Sequence, residues 1–192
     1  MIKRLYNKTM ALAGHPQAIY FLAIVSFIEA SFFPIPPDVM LIPMVLMKPS
    51  RAWFFALVAT VFSVLGGVFG YIIGAFAYEQ LAEPILFALG KEVEMLTFSN
   101  KYNEIGVWAV ITAGISPIPF KVITIMSGAT NLNFAVFLGA SLFSRAIRFF
   151  IVAGLLNFYG HGIKDFIEKY LNLVFMFLII LLLFGLIGLN SI

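Results

Sequence analysis

The chain has 192 residues, 62% of them hydrophobic and 11% charged, and carries a formal net charge of +3. That balance cannot cover a soluble domain of this length with polar surface, and the small positive excess, scattered among loops, gives no pointer to nucleic acid as a partner. With no cysteine, thiol catalysis, disulfides and Cys-based metal sites are excluded as well.

The basic N-terminus (Lys3, Arg4, Lys8) leads through His15-Pro16 with no small-residue cleavage pattern, so residues 1–16 read as an interfacial segment rather than a signal peptide. A short apolar arm follows over 18–33. Pro34, Pro36 and Pro37 then interrupt it, Asp38 comes next, and a second short arm runs to 47. Prolines remove donors and break helices, and an ionisable group inside an apolar segment costs several kcal/mol and marks a pathway or a relay. A polar turn (48–51) precedes 52–78, which is uncharged throughout and exceeds the roughly 20 residues that span a bilayer core. Residues 79–106 form the most polar stretch and read as a polar or interfacial loop. A second interrupted pair of arms covers 107–130, broken at Pro117 and Pro119 and followed by Lys121. Full spans are expected at 134–159 and 170–189.

The order of features repeats. A shift of 83 residues lays Pro34-Ile35-Pro36 on Pro117-Ile118-Pro119 and pairs Asp38 with Lys121, Ala52 with Ala135 and Phe54 with Phe137. Each short arm is below spanning length, so each interrupted pair reads as a re-entrant hairpin, with its irregular backbone buried in protein or lining a wet cavity. Proline-interrupted segments at matching places in two halves point to a transporter binding site. Lys3, Arg4, Lys8, Lys48, Arg51, Lys164 and Lys169 fall on one face, against Lys91 and Lys101 among five glutamates on the other. That asymmetry predicts a cytoplasmic N-terminus and two hairpins entering from opposite sides. The expected fold is therefore an all-α polytopic membrane protein: an inverted repeat of two broken-helix hairpins, each followed by a transmembrane helix, plus a C-terminal transmembrane helix.

Five ionisable residues lie where an apolar setting is expected: Glu29, Asp38, Lys121, Arg145 and Arg148. Glu29 and Asp38 read as proton-handling carboxylates, although Glu29 could equally rest among headgroups. Asp38 is placed to face Lys121 across the two breaks, as a gate or as a purely structural clamp. Arg145 and Arg148, three apart, share a helix face. They suit a phosphate headgroup, or else pair with Glu29 or Asp38. Gly66, Gly70 and Gly74 form a small-residue stripe for close helix packing, and Ser116 and Ser127 are placed to satisfy the broken backbone.

The wording FIEASFFPIPPDVML, GISPIPFKVITIMSGATNLNF and SLFSRAIRFF resembles the DedA family, the bacterial relatives of the VTT or SNARE-associated membrane domain, and is similar to its YqaA-like branch. The resemblance covers about 18–170. It implies opposed re-entrant hairpins and a flippase or scramblase role in lipid transport, with links to undecaprenyl-phosphate recycling and proton-driven membrane homeostasis. Family members carry an acidic pair that Glu29 and Asp38 match at closer spacing, and two arginines around the second proline motif. Here Lys121 replaces the later arginine and the earlier position, near Ile115, is apolar, which leaves open whether Arg145 and Arg148 substitute.

The functional expectation is a bacterial inner-membrane transporter or flippase for phospholipid or another anionic lipid, with protons as coupling ion and no cofactor. Self-association into a homo-oligomer is compatible with this reading. The alternative is a small-solute or ion/proton antiporter using the same carboxylates. An enzyme would need a nucleophile with an orienting base, or metal ligands, and no Cys, no His at the breaks and no Ser–His–Asp arrangement supplies one. A structural or assembly factor would tolerate Asp38→Asn and Lys121→Met.

Overall fold

In the computed structural model the chain is described at residue 15 and over residues 17–32, 36–116 and 119–160, and no strand occurs among them. The expected N-terminal segment, Pro34, Pro117 and the expected 170–189 span lie outside these residues. The first short arms are helices α1 (Ala18–Ser31) and α2 (Asp38–Met47). At a rise of 1.5 Å per residue they are about 21 and 15 Å long, well short of a bilayer core. A 3-10 turn (Pro49–Arg51) leads into α3 (Ala52–Ala77).

The region expected as a polar loop is instead helical. α3 continues through a π-helical turn (Tyr78–Ala82) into α4 (Glu83–Leu89), making one rod over Pro49–Leu89. Gly90, at φ +64°, ends it in the left-handed conformation that a glycine adopts without steric cost. α5 then runs unbroken over Glu92–Ile115, so the expected short arm at 107–115 is only the end of a helix of 24 residues. The stretch 92–105 has no glycine or proline to stop a helix, and its Glu, Lys, Met and Leu residues favour one. Its charge lowers hydropathy without lowering helix propensity, so it resembles a loop by hydropathy alone. α6 (Phe120–Ala129) and α7 (Phe134–Gly160) complete the described chain. Among the described residues, the rod and α7 are the two helices long and apolar enough to cross a membrane.

α3 shows how the bundle packs. Trp53, Leu57, Leu65, Ile72 and Phe76 are exposed along one side, while Ala56, Ala59, Ser63, Gly66, Gly70 and Gly74 are buried along the other. Small residues facing inward and large apolar ones outward are what close packing between helices in lipid requires. A Cβ on Gly66 would overlap the carbonyl of Phe27 in α1, and one on Gly74 would overlap the carbonyl of Ile125 in α6. α1 thus lies on the first half of α3 and α6 on the second.

Two apolar cores result. One joins Ala18 and Leu22 of α1, Leu41, Met44 and Val45 of α2, the first turns of α3, and Phe149, Ala153 and Leu156 of α7. The other joins Ala30 at the end of α1, Tyr102, Val110 and Ala113 of α5, Phe120, Leu132, and Phe137 and Ala140 of α7. The start of α1 shares a core with the end of α2, so the first pair of arms folds back on itself. α3 and α7 run through both cores in opposite directions.

The spacing along α3 gives a test. Gly66→Ala forces α1 off its seat and should destabilise the protein by about 1–3 kcal/mol. Gly139→Ala, where an added Cβ meets nothing within 4 Å, should be neutral or stabilising by up to about 1 kcal/mol. Thermal unfolding of both variants in one detergent separates the two.

Candidate functional site at the meeting of the two helix breaks

The two breaks come together between the apolar cores. α1 ends at Ser31, whose hydroxyl donates to the Phe27 carbonyl (2.7 Å) and lies 3.0 Å from that of Gly66. α2 opens on Pro36-Pro37, with Asp38 as its first residue and the Pro37 carbonyl accepting from the amides of Met40 and Leu41. A carboxylate in the first turn is favoured by the helix dipole. In the second half, α5 ends at Ile115, Ser116 is extended, and α6 restarts after Pro119. The Thr124 hydroxyl, 3.0 Å from the Ala30 carbonyl and 2.9 Å from that of Lys121, joins the end of α1 to the start of α6.

Four of the five singled-out charges form two ion pairs. Arg145 Nη2 donates to Glu29 Oε2 and Arg148 Nη2 to Asp38 Oδ2, the latter at 2.6 Å. The two pairs differ in kind. Arg145 is 2% exposed and Glu29 14%. Its Nε donates to Ser63 Oγ at 2.7 Å, and its guanidinium lies over the rings of Phe120 (4.3 Å to the centroid) and Phe149 (5.3 Å). Cation–π contact on such a desolvated cation adds on the order of 2 kcal/mol. Arg148 and Asp38 are 21% and 20% exposed. Arg148 Nη1 also donates to the Ser116 carbonyl at 2.8 Å, at the cut end of α5.

The expected meeting of Asp38 with Lys121 does not occur. Asp38 is taken by Arg148, and the Lys121 ammonium instead reaches the Phe32 carbonyl at 3.4 Å, beyond the end of α1. The reason is local: a cation at a helix C-terminus answers carbonyls that have no intrahelical partner, and Arg148 offers Asp38 a planar fork that an ammonium lacks. Ser127 meets the Tyr102 hydroxyl (3.0 Å), away from the breaks. Gly70 faces Thr124. Sequence reasoning missed Ser63, Phe120, Thr124 and Phe149. Ser63 was findable, because it lies three residues before Gly66 and is, with Thr60, one of two aliphatic hydroxyls in the uncharged span; the two phenylalanines look like any other in a chain with 22 of them. Among the described residues no group of three or more His, Asp or Glu side chains is placed to hold a metal.

Helices cut short inside an apolar bundle, small residues turned inward and charges paired across the cut define an α-helical membrane protein. The sequence matches the VTT domain over residues 35–158, and the chain belongs to this family, the DedA family. It is 39% identical to an uncharacterized protein of Haemophilus influenzae over 88% of each chain. An uncharacterized homologue from Histophilus somni is also 39% identical, over 86% of this chain and 84% of its own. An uncharacterized protein of Methanocaldococcus jannaschii is 27% identical over 65% of this chain and 75% of its own. No solved structure matches.

The unequal burial of the pairs predicts unequal stability effects. Glu29→Gln leaves the buried Arg145 cation uncompensated and should cost about 3–5 kcal/mol, with much of the loss restored by adding Arg145→Met. Asp38→Asn, in the less buried pair, should cost less, about 1 kcal/mol. Unfolding midpoints of the three variants check the order.

Proposed function

We propose that this protein moves lipids bearing an anionic phosphate headgroup between the leaflets of the bacterial inner membrane, coupled to protons. It acts as a carrier and not as an enzyme. The observation that carries the reading is the pairing of two carboxylates and two arginines at the meeting point of two interrupted helices. Stability alone is a weak reason for such a cluster, since a buried pair often barely offsets its own desolvation. Interrupted helices at matching positions in two halves are the arrangement in which membrane carriers hold a substrate near the bilayer midplane.

In this reading the two broken units are re-entrant hairpins entering from opposite faces. The N-terminus is cytoplasmic and the chain crosses the membrane more than once. The headgroup passes between the hairpin tips while the acyl chains stay in the bilayer, so the large apolar residues exposed on α3 and α7 remain against lipid throughout. A phosphate is matched by the guanidinium fork and by an ammonium. Asp38, in the more exposed pair, is the carboxylate placed to exchange a proton as it parts from Arg148. The same carboxylates would serve an ion/proton antiporter, and that reading is separated by the assay rather than by the geometry.

Purified protein in phosphatidylglycerol-containing vesicles should transfer fluorescent phosphatidylglycerol between leaflets, faster under a pH gradient. Asp38→Asn should slow transfer by roughly tenfold or more, equivalent to about 1.4 kcal/mol in the rate-limiting barrier. Labelled lipid that stays in its leaflet while protons exchange for small cations would leave the antiporter reading in its place.

A further inference from the structure

The two ion pairs resemble each other in composition but not in completeness. Arg145 has its Nε on Ser63, its Nη2 on Glu29 and aromatic rings against its guanidinium, and it is almost fully buried. Its guanidinium is already engaged by a carboxylate, a hydroxyl and two rings. Arg148 meets Asp38 through one nitrogen and one oxygen only. The atoms that would complete a two-bonded fork, Arg148 Nε and Asp38 Oδ1, are both buried without a hydrogen-bond partner. A planar guanidinium facing a carboxylate ordinarily makes both bonds, and a polar atom buried without one costs on the order of 1–3 kcal/mol. The Asp38–Arg148 pair is thus half made, and it is the more exposed of the two.

Charge points the same way. Glu29 on α1, Asp38 on α2, Lys121 on α6, and Arg145 and Arg148 on α7 are the charged groups at the breaks; the buried face of α3 contributes only neutral side chains, as does the end of α5 from Val107 to Ile115. Two carboxylates face three cations, so one positive charge is left over. It sits on Lys121, which has no carboxylate within ion-pair distance among the described residues and only the long contact to Phe32. The surplus cation and the half-made pair lie at the same two breaks, Lys121 at the end of α1 and the start of α6, the pair at the start of α2 and the end of α5.

We infer that Lys121 and Arg148 form the binding site for a singly charged phosphate group, and that Asp38 is a built-in stand-in for that group, occupying Arg148 until the anion displaces it. Arg145 is a positioning residue that holds α7 in place and does not touch the ligand. The inference rests on the lipid-transport reading only for its choice of ligand. The anion could arrive as a lipid headgroup or as free phosphate, since the recognised chemistry is the same.

Asp38 as a competitor has a consequence that a clamp does not. Removing its charge should strengthen anion binding. Calorimetric titration of the detergent-solubilised full chain with dihexanoyl phosphatidylglycerol should show Asp38→Asn binding roughly two- to tenfold more tightly than wild type. Lys121→Met and Arg148→Gln should each bind roughly tenfold or more weakly. A gain of affinity cannot come from misfolding, so the Asp38 variant is readable even if others lose stability. Unchanged or weaker binding by Asp38→Asn, or wild-type binding by Arg148→Gln, overturns the assignment. The same pattern with inorganic phosphate places recognition on the phosphate alone. The pattern with the lipid only adds the acyl chains to what is recognised, and binding of neither overturns the site. Tighter binding by Asp38→Asn with no lipid transfer by wild type in vesicles would reject the transport reading and keep the site. Lipid transfer with unchanged Asp38→Asn affinity would do the reverse.

Discussion

A helix cut inside an apolar medium exposes carbonyls and amides that water does not reach, and each costs several kcal/mol unless another group answers it. Among the described residues of this protein, helices end at Ser31 and at Ile115 and restart at Asp38 and at Phe120, and much of the described polar chemistry near these ends serves them. The Ala30 carbonyl meets Thr124, Phe32 meets Lys121, and Ser116 meets Arg148. Each donor comes from the second half of the chain, and two of the three acceptors lie in the first. The break in the first half is tolerated because the second half supplies the donors that it lacks.

The same division governs charge. The internal repeat would allow each half to carry similar residues, yet Glu29 and Asp38 both fall in the first half, and Lys121, Arg145 and Arg148 all fall in the second. Under the 83-residue shift Arg145 corresponds to Phe62 and Arg148 to Leu65. Both ion pairs therefore cross between halves, and neither could form within one. An inverted repeat with identical tips would place like charges against each other. Segregating acids from bases converts that repulsion into two attractions and leaves a single positive charge over.

How much of this could be read from the sequence follows from what each signal measures. Proline spacing, uncharged runs and the glycine stripe are local, and they located α1, α2, α3, α6 and α7 to within a few residues. The helical state of 79–106 was hidden because hydropathy reports burial, whereas the charged face of α5 is helical without being buried. The five site charges stood out as ionisable groups in apolar text. Pairing of the two arginines with Glu29 and Asp38 was one of the expected alternatives and is what forms; which arginine takes which carboxylate was not legible, because that depends on the rotation of α7 about its axis. Arg148 lies three positions after Arg145, close to one turn, and that small offset sends one guanidinium against two rings and leaves the other more exposed. No spacing rule decides which is which; the rings of Phe120 and Phe149 do.

The contrast between the two pairs also decides where the structure can give way. α1 is bound to α3 by backbone approach at Gly66 and to α7 through Glu29, and α6 is bound to α3 by backbone approach at Gly74. Such contacts have a single arrangement, because a carbonyl seated where a Cβ would be cannot slide past the next residue. α2 is held differently. Apart from Asp38, its buried residues Leu41, Pro43, Met44 and Val45 are apolar, and they rest against the first turns of α3 and the last turns of α7. Apolar contact is non-directional, and Pro43 removes one hydrogen bond from the interior of the helix itself. Once Arg148 turns to another partner, nothing directional ties α2 to its neighbours among the described residues. The helix carrying Asp38 is therefore held by non-directional packing and one ion pair, whereas α1, α3 and α6 are held by close backbone approach.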